Sequence, residues 1–315
     1  MKKTLANTQH HVLILGSEGF IGRHLVAEFE SIPDRFAVTT CDVIDAHRST
    51  SHWRIDPQQV EFDSLFQAQP FDICINCSGA ASVGDSHDDP QRDHALNVVN
   101  VVRMLDAIRR YRPSCRFLNL SSAAVYGNPT VLPVKEDSPA EPISPYGLHK
   151  FQAEQLCAGY ARFFELSTCS VRIFSAYGPG LRKQLFWDLH RKAQSGSRVE
   201  LWGTGRESRD FIEVSDLCRA LRLVCENSAF GGEVVNVASG QETRIEDAVR
   251  LFIDFYGDRH SYAFNGRTKT GDPLNWRADI GQLRSFGFEP EVPIDQGLRR
   301  YVEWVKGIEQ EGSQR

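Results

Sequence analysis

VLILGSEGFIG, residues 12–22, sets the architecture that the rest of the chain follows. Val12–Leu15 is a short apolar run of the kind a buried parallel strand needs. Gly16, Gly19 and Gly22 come next, and Arg23–Glu30 is amphipathic. A strand, a glycine turn and a helix form a ready-made anion site. The glycines allow a tight turn, close approach to a pyrophosphate and close helix–strand packing, and the helix N-terminus faces the anion. The spacing is G-x-x-G-x-x-G, a variant of the G-x-G-x-x-G dinucleotide fingerprint.

Working outward, Phe36–Cys41 reads as the second strand and ends at Asp42, 20 residues after Gly22. A carboxylate there can take both adenosine ribose hydroxyls and would repel a 2′-phosphate, which favours NAD over NADP. Asp45, or Arg48 acting on a phosphate, stays open as an alternative. Trp53–Asp56 is a weaker strand, with Asp56 either near the adenine or in a solvated loop. Asp72–Cys77 is a strand running into Ser78-Gly79-Ala80-Ala81, small residues that suit backbone passing beside a ligand. Pro90–Tyr111 has the apolar rhythm of one long helix, and Asn97 on it either caps a loop or is plain surface. Phe117–Leu120 is a strand delivering Ser121 and Ser122.

A Pro- and Gly-rich loop, 128–145, then leads to a helix over 146–165. Its i,i+4 spacing puts Tyr146 and Lys150 on one face. A phenol titrates near ~10. A cation one turn away favours the phenolate and so brings Tyr146 toward useful acid/base strength. Ser170–Phe174 is the sixth strand. The alternation implies an α/β fold, a doubly wound parallel sheet of Rossmann type over residues 1–174. A smaller substrate-binding region follows over 175–315, with part of 214–240 returning to the sheet. In that second part, helices are expected at 183–194, 214–226, 279–286 and 294–306, and a strand at 234–237. Thr243-x-x-Glu246 reads as a capping box opening a helix at 244–256, and 309–315 as a frayed tail.

Composition excludes several classes. Hydrophobic and charged fractions of 41% and 24% are those of a globular protein, and the net charge of −5 with no basic block argues against nucleic acid. No apolar run reaches the ~18–20 residues of a membrane span. The opening residues lack the apolar core and cleavage site of a signal peptide, so a cytoplasmic protein is expected. The eight cysteines sit mostly in apolar runs. Cys74 and Cys77, three apart on a strand, point to opposite faces, so buried thiols are expected and no metal.

Taken in order, Gly16-x-x-Gly19-x-x-Gly22, Asp42, Ser122-x-x-x-Tyr126-Gly127, Tyr146-x-x-x-Lys150, Tyr177-Gly-Pro, Arg209-Asp-Phe and Lys269-x-Gly-Asp272 resemble the extended short-chain dehydrogenase/reductase family. The resemblance covers about residues 11–306 and points to its nucleotide-sugar epimerases and dehydratases. It implies Tyr146 as acid/base, Lys150 as its tuner and holder of the nicotinamide ribose, and Ser122 as partner of the sugar hydroxyl. It also implies backbone donors at Phe20 and Ile21, Asn97 near the cofactor, and a grip by Arg209 and Asp272 on the diphosphate and nucleotide ribose of the sugar donor. Phe174 joins the cofactor candidates, and Ser175 and Leu201 the substrate candidates. Lys269 stands where the family more often has arginine, and Ser175 replaces an asparagine.

The resemblance also bears on the reaction. Family dehydratases look like Asp-Glu just after the serine, and the 3,5-epimerase/reductase branch like a cysteine. Here the residues are Ala123-Ala124, and neither moves a proton. What is left is hydride and one hydroxyl proton: an NAD-dependent C4 epimerase of a nucleotide-diphosphate sugar working through a 4-keto intermediate. The alternatives are an NAD(P)H-dependent 4-ketoreductase of a nucleotide 4-keto-6-deoxy sugar and a non-catalytic dinucleotide-binding scaffold. The resemblance further implies a role in polysaccharide biosynthesis and a homodimer through helices 90–111 and 146–165.

Overall fold

The computed structural model describes residues 9–45, 51–196, 198–257, 260–267 and 271–313. The first six strands are β1 (His10–Leu15), β2 (Phe36–Asp42), β3 (His52–Arg54), β4 (Ile73–Asn76), β5 (Arg116–Ser122) and β6 (Thr168–Ile173). The remainder are β7 (Ser175–Tyr177), β8 (Arg198–Leu201), β9 (Ser208–Glu213), β10 (Gly231–Val237), β11 (Glu242–Arg244) and β12 (Ser261–Phe264). Seven of them make one parallel sheet in the order β10-β6-β5-β4-β1-β2-β3.

Alternation along β1 shows why this sheet needs two coats. Val12 and Ile14 pack with Leu25, Phe29, Leu217 and Leu221 of the Phe20–Glu30 and Val214–Asn227 helices. Leu13 and Leu15 pack the other way, with Phe66, Met104, Leu105 and Ile108. Cys74 and Cys77 divide in the same manner, one to each layer. Burying each such large side chain is worth about 1.5–3 kcal/mol, and no polar face remains for water. The strand order reverses between β1 and β4, so a crevice opens at their carboxyl ends.

Three sequence expectations give way here. Residues 90–111 are not one regular helix: a Pro90–His94 turn passes into a π-helical stretch, Ala95–Val99, before the Asn100–Tyr111 helix. The Thr243–Glu246 capping box does not form. Thr243 lies in β11, paired with Arg209, and the following helix, Ile245–Tyr256, begins after Arg244 with no side-chain cap. The expected frayed tail is largely helical, because the last helix runs Ile294–Ser313 and Tyr256 Oη donates to Glu309 at 2.8 Å. Smaller differences are that β3 stops at Arg54 and β6 at Ile173.

Beyond β6 the chain builds two small sheets, β11-β9-β7 and β12-β8, and a second core. Phe186 is buried there, stacked 6.2 Å from Phe252, so this ring is a packing residue. β10 runs alongside β6, from Val234 opposite Ser170 to Val237 opposite Ile173. No helix among the described residues is long and apolar enough to cross a membrane.

Candidate active site

The glycine turn closes around its own backbone. Gly16 has φ +74°, and a Cβ there would stand 2.7 Å from Ser78 N. A Cβ on Gly22 would meet Gly16 O at 2.1 Å. Arg23 N already donates to Gly19 O at 3.0 Å. The N–H groups of Phe20, Ile21 and Gly22 are therefore the first three of the helix, which have no intrahelical acceptor. Asp42 ends β2 beside the turn and accepts from Glu18 N at 2.8 Å and Val43 N at 2.7 Å.

Across the crevice, Ser78 follows β4 and is held by Asn76 Oδ1, which accepts its N–H at 3.2 Å and its hydroxyl at 2.6 Å. Gly79 has φ +112°, and a Cβ on it would lie 2.5 Å from Asn97 Oδ1. Asn97 itself sits in the π-helical stretch, 2% exposed, so it is neither plain surface nor a loop cap. Neither its Oδ1 nor its Nδ2 has a hydrogen-bond partner among the described residues. An inserted π turn re-aims a side chain off the regular helical stripe.

β5 delivers Ser122, and the Pro145–Phe164 helix delivers Tyr146 and Lys150. Ser144 caps that helix by accepting from Gly147 N at 3.1 Å, with Pro145 at its first position. Ser144-Pro145 is thus a helix start signal visible in the sequence. Tyr146 N donates to Ser86 Oγ at 3.1 Å, a contact no local pattern announces. Lys150 Nζ lies 5.8 Å from the Tyr146 ring centre and donates to Leu120 O at 2.9 Å.

The electrostatics correct the expectation of a lowered phenol. Burial pushes Tyr146 up to about 12; the Ser122 hydroxyl near it pulls down, and Asp93 pushes up. Burial also drives Lys150 down to about 8, with Asp93, Cys77 and Glu154 holding it up. In this structure desolvation is the largest influence on both groups.

The outlying candidates divide. Arg209 Nη1 donates to Ser208 O at 2.8 Å and Leu274 O at 3.2 Å, and Asp272 lies near enough to act on its charge. Lys269 falls outside the described residues, as does Arg48. Ser175 opens β7 opposite Phe211 and is half-buried. Phe174 and Leu201 give their side chains to the cores: Phe174 packs 5.9 Å from Trp276, and Leu201 is 3% exposed. Asp56 is exposed and caps its own turn, accepting from Gln58 N at 2.9 Å.

A family model described as the NAD dependent epimerase/dehydratase family matches residues 12–238, the span holding the glycine turn, Ser122, Tyr146 and Lys150. The chain belongs to that family. Its similarity to individual family members spans almost the whole length. UDP-glucose 4-epimerase of Mycolicibacterium smegmatis is 26% identical over 95% of this chain and 99% of its own. GDP-6-deoxy-D-mannose reductase of Pseudomonas aeruginosa is 28% identical over 95% and 99%. The structure of MoeE5 with UDP-glucuronic acid and NAD is 29% identical, covers 95% of this chain and 99% of that one, and superposes with a TM-score of 0.86.

NAD is the cofactor of the family, and the residues present fit it. The glycine turn has no room for a Cβ at 16 or 22, so its backbone is open to a close anion. Asn97 offers a buried amide with both polar atoms unpaired, beside Gly79. Buried polar groups normally pair, so this amide fits a group that brings its own donor and acceptor.

Proposed function

We propose that the protein is an NAD-dependent epimerase acting at C4 of a nucleotide-diphosphate sugar. One observation carries the reading: the Ser122 hydroxyl sits close enough to the Tyr146 phenol to pull its pKa down, and the 3₁₀ turn that follows brings up only Ala123 and Ala124. Both alanines are buried, and neither has a group that moves a proton. Tyr146 therefore has no neighbouring acid on that turn to help eliminate a hydroxyl.

In this reading Ser122 orients the C4 hydroxyl and Tyr146 takes its proton. When bound, oxidised NAD supplies a hydride acceptor and a positive charge that favours the Tyr146 phenolate. Tyr146 later returns the proton to the C4 oxygen, after the sugar has presented its other face. Lys150 keeps a positive charge one helical turn from the phenol. Arg209 holds the diphosphate and Asp272 the nucleotide ribose of the donor, which leaves the sugar free to turn. Asp42 favours a cofactor without a 2′-phosphate. A homodimer through the 90–111 segment and the Pro145–Phe164 helix belongs to the same reading. Phe163 and Phe164, 70% and 48% exposed at the end of the second helix, support it, and sedimentation would check it.

Product analysis by NMR over UDP-glucose, UDP-glucuronic acid and the GDP and dTDP sugars tests the function. The expected result is a C4 epimer formed to equilibrium with no net use of NAD(P)H. Stoichiometric loss of NAD(P)H with a 4-keto sugar would instead make the protein a ketoreductase.

A further inference from the structure

Two buried ionic contacts adjoin the Tyr146–Lys150 pair, and they differ in one respect. Glu154 is satisfied: it accepts from Arg172 Nη2 at 2.7 Å and from Ser121 Oγ at 2.5 Å. Asp93 is not. His149 Nδ1 meets its Oδ2 at 2.6 Å, while its Oδ1 is buried with no partner among the described residues. Asp93 is 3% exposed and sits four residues before Asn97; His149 is 8% exposed and stands directly before Lys150. A carboxylate only accepts, so the Nδ1 hydrogen lies between them. Burying a charge with one oxygen bare is costly, and groups kept at such cost cluster where their charge is used.

We propose that Asp93, steered by His149, is a positioning residue for the Tyr146–Lys150 pair. It anchors the helix carrying both to the segment carrying Asn97, and its negative charge bears directly on the phenol. Of the charges that offset the burial of Lys150, Asp93 acts most strongly, ahead of Cys77 and Glu154. The same carboxylate pushes the Tyr146 phenol upward. Asp93 meets His149 of the Pro145–Phe164 helix directly, its charge acts on Tyr146 and Lys150 of the same helix, and His94, next to it on its own segment, has its ring 5.1 Å from that of His149.

The inference rests on the acid/base reading of Tyr146, so Tyr146→Phe is the control. The phenol is titrated in the full-length protein by tyrosinate absorbance, taken as the difference from the same protein carrying Tyr146→Phe. In Asp93→Asn the phenol should titrate lower by about half a pH unit or more. With UDP-glucose as probe, maximum turnover should also move to lower pH, with KM held. His149→Asn, whose amide still donates to Asp93, should keep the wild-type titration, and it carries the test if Asp93→Asn does not fold: a shifted phenol in a folded His149→Asn protein would overturn the proposal. So would an unmoved titration in a folded Asp93→Asn protein, whatever its activity. Full turnover in Tyr146→Phe would sink the acid/base reading instead. The titration needs no substrate and reads the inference separately.

Discussion

The glycine turn after β1 and the Arg209–Asp272 corner, the two places proposed to meet phosphate groups, are built from different materials. The first is backbone: donors at the start of a helix, with a carbonyl 2.1 Å from where a Gly22 side chain would begin. The second is a long side chain reaching from β9, held by the carbonyls of Ser208 and Leu274. A backbone site tolerates almost no change, whereas a side-chain site weakens by degrees. The parallel sheet therefore carries the site fixed by backbone shape, and the smaller region carries the one built from side chains.

That contrast can be broken by measurement. The largest effect is expected within the sheet, where Tyr146→Phe should lower turnover by about 10²–10⁴-fold while the melting temperature stays near that of wild type. Gly22→Ala comes next. Forcing a methyl into that turn should cost about 1–3 kcal/mol and remove bound NAD, read by calorimetry and by absorbance of the purified protein. In the second region, Arg209→Lys should raise KM for UDP-glucose by roughly tenfold with kcat held, since a lysine loses the forked grip on a phosphate. If Arg209→Lys proved as damaging as Gly22→Ala, the contrast would fail.

The smallest effect concerns His190, buried in the second core with Tyr256 Oη at 3.2 Å from its Nδ1. Burial lowers its pKa below the usual 6.5, against an upward pull from Glu309. The folded protein then binds this proton less readily than the unfolded chain. The stability it contributes is present above about 6.5 and is lost as pH falls below that value. Melting temperature between pH 7.5 and 5.5 should drop more for wild type than for His190→Gln, by a margin of about a degree or two. Equal slopes would remove His190 from the account.

How much of this was legible in the sequence depends on distance along the chain. Val12–Leu15, the three glycines and Asp42 are local signals, and the sheet follows from them. Tyr146 and Lys150 are one helical turn apart, so their shared face could be read directly. The π turn around Asn97 could not, because an inserted residue leaves the apolar rhythm of 90–111 nearly intact while rotating the amide inward. Asp93 and His149 are 56 positions apart and meet only after two helices pack. Thr243 carries a sound capping pattern, and pairing with Arg209 in a sheet overrode it. The upward push on Tyr146 was likewise invisible, since spacing reports which charge is near and not how much water is gone.

β10 gives the parallel sheet an edge strand that the chain makes only after it has visited the second core. A truncation after Phe174 would therefore leave β6 with a bare row of peptide groups along its full length, an invitation to pair with another molecule. A fragment ending after Val237 would restore that edge but strip β9 of its β11 partner. The polypeptide is laced, and whoever wishes to graft its dinucleotide half onto another protein must carry the lacing along.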